Sequence, residues 1–259
     1  MTCNEAINRY MILDKHEAVP FAVTFHLLRC KKCRSLVRAL TQASNLYTSS
    51  FQTKADDALT EKTMVKIQAE ANVPTEYGKF KIIAFSEKEQ DWMPHLALIA
   101  ENTDLSSVVN VRFHSECITG EVFHSKKCEC GQQLSSAMQY IQKLGGVIVY
   151  LRQEGRNIGI INKLKAYALQ EKGLDTVEAN LKLGLPADDR NFSVAVDILE
   201  ILGIKEINLI TNNPDKISFV ENSKIKLHSR IPLEIKPNEE NRDYLKTKKD
   251  FFGHFISGE

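Results

Sequence analysis

No run of apolar residues in this chain approaches the roughly 18 needed to cross a membrane as a helix. The opening stretch, Met1 to Tyr10, carries Asn, Glu and Arg where a secretory leader needs an apolar core. Neither sign of charge is in excess, since 34 Lys and Arg stand against 33 Asp and Glu, for a net +1. A balanced chain builds no global field, so bulk attraction to nucleic acid or to a membrane is not indicated and any anion site must be local. There is no internal repeat and no low-complexity tract. The glycine-containing loop Glu154 to Gly159 lacks the Gly-Lys-Ser/Thr of a Walker loop. These absences point to a cytoplasmic protein. In that reducing compartment the six cysteines read as thiols or metal ligands rather than disulfides.

What is present is ordinary globular composition, 43% hydrophobic and 26% charged over 259 residues, enough for one large domain or two small ones. The cysteines fall into two groups, Cys3, Cys30 and Cys33, then Cys117, Cys128 and Cys130. The grouping suggests two modules, and we place them at 1–73 and 74–259.

Residues 1–73 read as a small, mainly helical module. Glu5 to Leu13 and Cys33 to Leu46 space apolar residues three and four apart. Tyr47 to Glu70 is polar with weak periodicity, and Ala71 to Tyr77, with Pro74, reads as a linker. His26, Cys30 and Cys33 share one face if the stretch is helical, and Cys3 or His16 can supply a fourth ligand. This spacing resembles the zinc-associated anti-sigma-factor motif. The competing reading is a basic helix start with two ordinary thiols.

From Lys79 onward strands and helices alternate, which indicates an α/β domain. Strands are expected at Lys79 to Phe85, Leu96 to Ala100, Val108 to His114, Val147 to Leu151, Glu206 to Ile210 and Lys224 to His228. Helices are expected at Gln133 to Leu144, Ile160 to Glu171, Asn191 to Leu202 and after Thr211-Asn-Asn-Pro214. The tail from Lys236, rich in Asn, Glu and Lys, reads as a solvated surface segment.

Four constellations carry chemistry. Cys117, Cys128 and Cys130 can hold a tetrahedral zinc with one open position, and zinc lowers the pKa of a bound water to about 7. Gly131 would allow the tight loop this needs. A structural zinc closed by His114 or His124 is the alternative. The loop from Tyr150 to Gly159 joins a strand to a helix, where backbone N–H groups with Arg152 and Arg156 suit an anion, or it is a polar surface turn. Asp188, Asp189 and Arg190, taken alone, read first as a plain helix start and second as a site. Thr211 to Lys216 is a phosphate pocket or a capped turn. Tyr167, mid-helix, reads on its own as core.

Together these motifs resemble GTP cyclohydrolase II of riboflavin biosynthesis, from about Tyr77 to the C-terminus. They appear in family order: Arg112-x-His-Ser-Glu-Cys117-x-Thr-Gly, Cys128-x-Cys-Gly-x-Gln133, Arg-Gln-Glu154-Gly-Arg-Asn-Ile-Gly, Lys165-Ala-Tyr167, Asp175-Thr-Val-Glu-Ala-Asn180, Gly184-x-x-x-Asp-x-Arg190, Leu209-x-Thr-Asn-Asn-Pro and Tyr244-Leu-x-Thr-Lys. The resemblance implies a mixed-sheet α/β domain. It implies zinc-dependent hydrolysis of GTP to 2,5-diamino-6-(5-phosphoribosylamino)pyrimidin-4(3H)-one, formate and diphosphate, by a homodimer with Mg²⁺ on the phosphates. One zinc per chain would sit on Cys117, Cys128 and Cys130. Arg112, Phe113, His114, Ser115, Glu116, Gln133, Glu154, Gly155, Arg156, Thr176, Thr211 and Lys216 would contact GTP. Asp188 would accept a proton, Arg190 would be the nucleophile, and Tyr167 would assist ring opening and formate loss.

Retention of Tyr167 favours full deformylation over a formamido stop. The departures from the family pattern are Glu121 and Glu129 for Asp, and Lys127 for Arg. No acidic Asp-Glu-Asp loop of a dihydroxybutanone-phosphate synthase domain precedes the matching region, so a single activity is expected. The alternative is a catalytically silent zinc- or nucleotide-binding regulator that engages a protein partner through residues 1–73.

Overall fold

The structure is a computed structural model and describes residues 2–11, 21–30, 32–35, 37, 65–186 and 188–255. The chain divides into two units, Met1–Thr63 and Met64–Glu259.

In the first unit, helix α1 spans Cys3–Met11 and α2 spans Phe21–Arg29, and a further helical turn covers 32–35. A capping box starts α1: the Thr2 amide donates to Glu5 Oε2 at 2.8 Å and the Glu5 amide donates to Thr2 Oγ1 at 3.3 Å. Ala6 on α1 and Val23 on α2 are fully buried. The helix read over Cys33 to Leu46 is helical at 32–35 and at 37; its remainder, like the polar segment up to residue 64, lies outside the described residues.

The second unit is built on one seven-stranded mixed sheet. The strands are β1 (Lys66–Thr75), β2 (Gly78–Ser86), β3 (His95–Ala100), β4 (Val109–Ser115), β5 (Val147–Leu151), β6 (Glu206–Ile210) and β7 (Lys226–Ile231). Their order is β1-β2-β3-β5-β4-β6-β7. The first three and β5 pair antiparallel, whereas β5, β4, β6 and β7 pair parallel. The segment expected as a linker, Ala71 to Tyr77, is instead the end of β1 and its hairpin turn. Pro74 misled the reading: β1 is an edge strand, where a residue without an amide proton is tolerated.

The helices are α3 (Ile118–Glu121), α4 (Cys130–Leu144), α5 (Gly159–Gln170), α6 (Thr176–Lys182), α7 (Ser193–Ile201), α8 (Pro214–Glu221) and α9 (Arg242–Asp250). The period of two along β5 sorts its side chains: Val147, Val149 and Leu151 join one core with Ile198 and Leu199 of α7, while Ile148 joins Ala137, Met138 and Ile141 of α4 in another. Strand β4 does the same with a difference. Val109, Val111 and Phe113 face the first core, but the alternate positions carry the buried polar residues Arg112 and His114. Polar groups this deep require partners.

The tail is a second correction. Residues 242–250 form α9, whose Leu245 and Lys248 are buried, as is Phe252 beyond it. Its surface-like composition hides a buried row spaced three and four apart, Leu245, Lys248 and Phe252, in which the lysine is paired with Glu129.

Candidate active site

Three parallel strands end side by side and deliver the site. The chain leaves β4 at Ser115 into Glu116 and Cys117, leaves β5 at Leu151 into the 152–159 loop, and leaves β6 at Ile210 into Thr211–Lys216. The chain passes from β4 to β5 on one side and later to β6 on the other, which makes β4 the point where the winding reverses. Such a switch point opens a crevice outside the carboxyl ends of the strands. A cleft of about 380 Å³ lies there, lined by residues of all three segments together with α4, α5, α6 and α9.

At one end the three sulfurs of Cys117, Cys128 and Cys130 lie within 4.8 Å of one another. Cys117 Sγ and Cys128 Sγ are 3.7 Å apart, close to the tetrahedral edge of about 3.8 Å set by Zn–S bonds of about 2.3 Å. Among the described residues no fourth His, Cys or carboxylate joins the group, so an ion held there would have three protein ligands. The corner is made by close backbone approach. A Cβ on Gly120 would stand 2.8 Å from Cys128 Sγ, and one on Gly131 would stand 2.2 Å from the Gly120 carbonyl oxygen. Gly131 is therefore needed for contact rather than for turning a loop. Lys163 of α5 donates to Cys117 Sγ at 3.0 Å and to Glu154 Oε1 at 2.7 Å. Hydrogen bonds from the neighbouring thiols and the Lys163 ammonium hold the Cys117 thiol far below its usual range, as a thiolate. Burial opposes the Lys163 charge, but Cys117, Tyr167 and Glu154 outweigh it and hold Lys163 above its usual range.

A buried polar chain runs from this corner across the cleft floor. Glu121 accepts from the Cys117 amide and from His114 Nε2, each at 2.9 Å, and from Tyr150 Oη at 2.5 Å. Arg112 donates to His114 Nδ1 at 3.3 Å and to Gln133 Oε1 at 2.7 Å. Gln133 donates to Glu129 Oε1 at 2.8 Å, which also accepts from Lys248 Nζ at 2.6 Å. Glu121 and Glu129, the longer carboxylates, are thus both fully engaged. Burial pushes the His114 imidazole down to about 4, leaving it neutral.

The other end is cationic. Lys216 donates to the Phe113 carbonyl at 2.7 Å, and burial with Arg190, Arg112 and Lys248 nearby pushes its ammonium well below the usual range. Arg190 Nε donates to Asp188 Oδ1 at 2.8 Å, and its Nη2 pairs with Asp188 Oδ2. Burial disfavours the Asp188 carboxylate, yet Arg190 and Arg156 more than offset it and hold Asp188 below the usual range. His254 is pushed to about 2 by burial and by Lys248, Arg190, Lys216 and Arg156. Lys216, Arg190, Arg156 and Lys248 all line this end of the cleft, and basic groups gathered on one space favour an anion there. The Tyr167 phenol lies between Lys127 and Lys163, with ring-centroid distances of 4.9 and 5.8 Å, and burial raises it to about 12.

The structure brings most of the anticipated residues to this cleft. Arg112, His114, Ser115, Glu116, the three cysteines, Gln133, Gly155, Arg156, Tyr167, Thr176, Arg190, Thr211 and Lys216 all line it. Three others do not. Phe113 is fully buried in the core against Phe192, because its position on β4 points to the opposite face, and it offers the site only its carbonyl. Glu154 sits behind the wall, accepting from the Ile118 amide at 2.6 Å and from Lys163. Asp188 sits behind Arg190. Arg152, anticipated as an anion ligand, pairs instead with Glu116 at 2.9 Å. His114 bonds Glu121 rather than closing the thiolate corner. Sequence reasoning missed Lys163 and His254, and it quoted Lys248 in the Tyr244-Leu-x-Thr-Lys motif without giving it a role. Lys163 was detectable, since it stands four residues before Tyr167 on one helix face.

A doubly wound sheet with polar groups gathered at its carboxyl ends, a three-cysteine corner able to hold a metal ion and basic residues facing it are the parts a hydrolase needs. Residues 66–232 match the model of the family described as GTP cyclohydrolase II. The GTP cyclohydrolase-2 of Campylobacter fetus subsp. fetus (strain 82-40) is 50% identical over 186 residues, 72% of this chain and 93% of that one. That of Histophilus somni (strain 2336) is 50% identical over 196 residues, 74% of this chain and 90% of its own. Riboflavin biosynthesis protein RibBA of Chlorobium phaeovibrioides is 48% identical over 195 residues, 75% of this chain and 47% of its own. The chain belongs to the GTP cyclohydrolase II family, and the first unit lies outside the match.

Proposed function

We propose that this chain opens GTP to the diaminopyrimidinone ribosyl phosphate with release of formate and diphosphate, as the first step of riboflavin biosynthesis. The observation that carries the reading is the single cleft that sets a three-thiolate corner at one end and a buried cation cluster at the other. A purine nucleoside triphosphate needs both ends, a hydrolytic centre for the base and cations for the phosphates.

Cys117, Cys128 and Cys130 would hold a zinc ion, which when bound would supply Lewis acidity and lower the pKa of a water. Lys163, donating to Cys117 Sγ, would offset the excess negative charge of three thiolates around a divalent ion. Arg112 and Gln133 hold each other's orientation and present polar edges to the base. Lys216, Arg190, Arg156 and Thr211 receive the phosphates, accompanied by Mg²⁺. Asp188 remains a carboxylate, paired with both Nε and Nη2 of Arg190, so it is the group on hand to take a guanidinium proton as Arg190 attacks the α-phosphorus, the α–β P–O bond breaks and diphosphate leaves. Tyr167, held protonated, donates a proton during ring opening and formate loss.

Val122, Phe123, Ile161 and Leu164 expose an apolar face at α3 and α5 beside the thiolate corner, which suits a second copy of the chain in a cytoplasmic homodimer. Incubation of the zinc-loaded protein with GTP is expected to yield formate and diphosphate in equal amounts; neither product would sink the reading. Tyr167→Phe is expected to accumulate the formamido species, read by mass spectrometry, with zinc content unchanged.

A further inference from the structure

We propose that the first unit carries a second metal site, a closed tetrahedral zinc centre whose four ligands are Cys3, His26, Cys30 and Cys33. The four ligand atoms lie within 4.8 Å of one another, and they come from two helices and the turn that follows them. Cys3 Sγ and Cys30 Sγ are 3.7 Å apart, and His26 Nε2 and Cys33 Sγ are 3.3 Å apart. Zn–S bonds of about 2.3 Å and Zn–N bonds of about 2.0 Å give tetrahedral edges of roughly 3.8 and 3.6 Å. A disulfide would bring two sulfurs to about 2.05 Å, and all six cysteines are free.

The backbone explains the convergence. The Cys30 amide donates to the His26 carbonyl at 2.9 Å and the Arg34 amide donates to the Cys30 carbonyl at 3.0 Å. Helical spacing therefore persists through the segment and puts positions 26, 30 and 33 in one row. The first residue of α1 brings Cys3 to that row.

Charge agrees with the donor count. Three thiolates and a neutral imidazole leave a zinc complex one unit negative, and the ligand segment carries Arg29, Lys31, Lys32 and Arg34. Three soft sulfurs and one imidazole nitrogen are a zinc donor set. Unlike the corner in the second unit, this cluster has four protein donors and no open position, so its role is to hold structure rather than to do chemistry. Among the unit's described residues Ala6, Val23 and Cys33 are buried, and Cys33 is itself one of the ligands. In a module this small a closed metal centre adds folding stability.

The site is independent of the reading of the catalytic cleft, and zinc content separates the two. Atomic emission on the purified full chain is expected to give two zinc per chain, falling to one in Cys30→Ser and to one in Cys117→Ser. One zinc in the wild type, unchanged by Cys30→Ser, would overturn the proposal. Cobalt loading of Cys117→Ser, in which the first unit is unaltered, gives a reading that does not depend on how Cys30→Ser folds. A thiolate-to-cobalt charge-transfer band with tetrahedral visible absorption is expected. Its absence would equally overturn the site.

Discussion

Lys163 shows what a single residue adds to the thiolate corner. Its ammonium reaches Cys117 Sγ at 3.0 Å and is itself held by Glu154. Lys163→Met is expected to weaken zinc binding by about 10- to 100-fold in chelator competition, the usual cost of losing a partner of a metal ligand. His114 sets a pH dependence. Its folded value of about 4 lies below the unfolded value of about 6.5, so the unfolded chain binds the extra proton first. Stability from neutral His114 is complete above pH 6.5 and is lost as pH falls toward 4, by on the order of 3 kcal/mol. Denaturant midpoints compared across that window are expected to slope less in His114→Gln than in the wild type. The cysteines were legible because three thiols in so short a stretch have few bland explanations. Lys163 carried only a weak signal, its place four residues before Tyr167, because a lysine in a helix reads as solvated until its burial is seen.

Among the elements, α9 departs furthest from its sequence. Asn, Glu and Lys dominate its neighbourhood, yet Lys248 is buried and bonded to Glu129, and Thr247, Lys248 and His254 line the cleft. Truncation after residue 240 is expected to abolish GTP turnover while the zinc held by Cys117, Cys128 and Cys130 stays bound, as measured by formate release and metal content. Loss of zinc in the truncated chain would show that α9 builds the thiolate corner as well. The strands β2 to β6 were legible to within two residues at most ends, since alternating or continuous apolar runs have one use in a sheet. Strand β1 was hidden by Pro74 and by its polar faces, and α6 by its shortness. The capping box between Asp175 and Glu178 was the available signal for α6.

At the scale of the whole molecule, the balanced charge of the chain does not extend to the cleft, which is lined by seven Lys and Arg and four Asp and Glu. The exposed apolar residues Phe123 and Ile161, 71% and 70% accessible, are not part of that lining. If the proposed homodimer forms through this face, Phe123→Glu combined with Ile161→Glu is expected to halve the mass seen by light scattering, whereas an unchanged mass would overturn this face as the interface. The reading of two modules rested on the grouping of cysteines, and the structure divides the chain between Thr63 and Met64, earlier than the polar composition suggested. The bond from Lys248 to Glu129 spans 119 residues of chain. A ribosome therefore releases the three thiolates well before the helix that completes the opposite wall. On a chain that emerges in order, the metal can be loaded while the cleft is still unfinished, and turnover begins only after the last helix docks. Premature termination then yields a metallated but silent product.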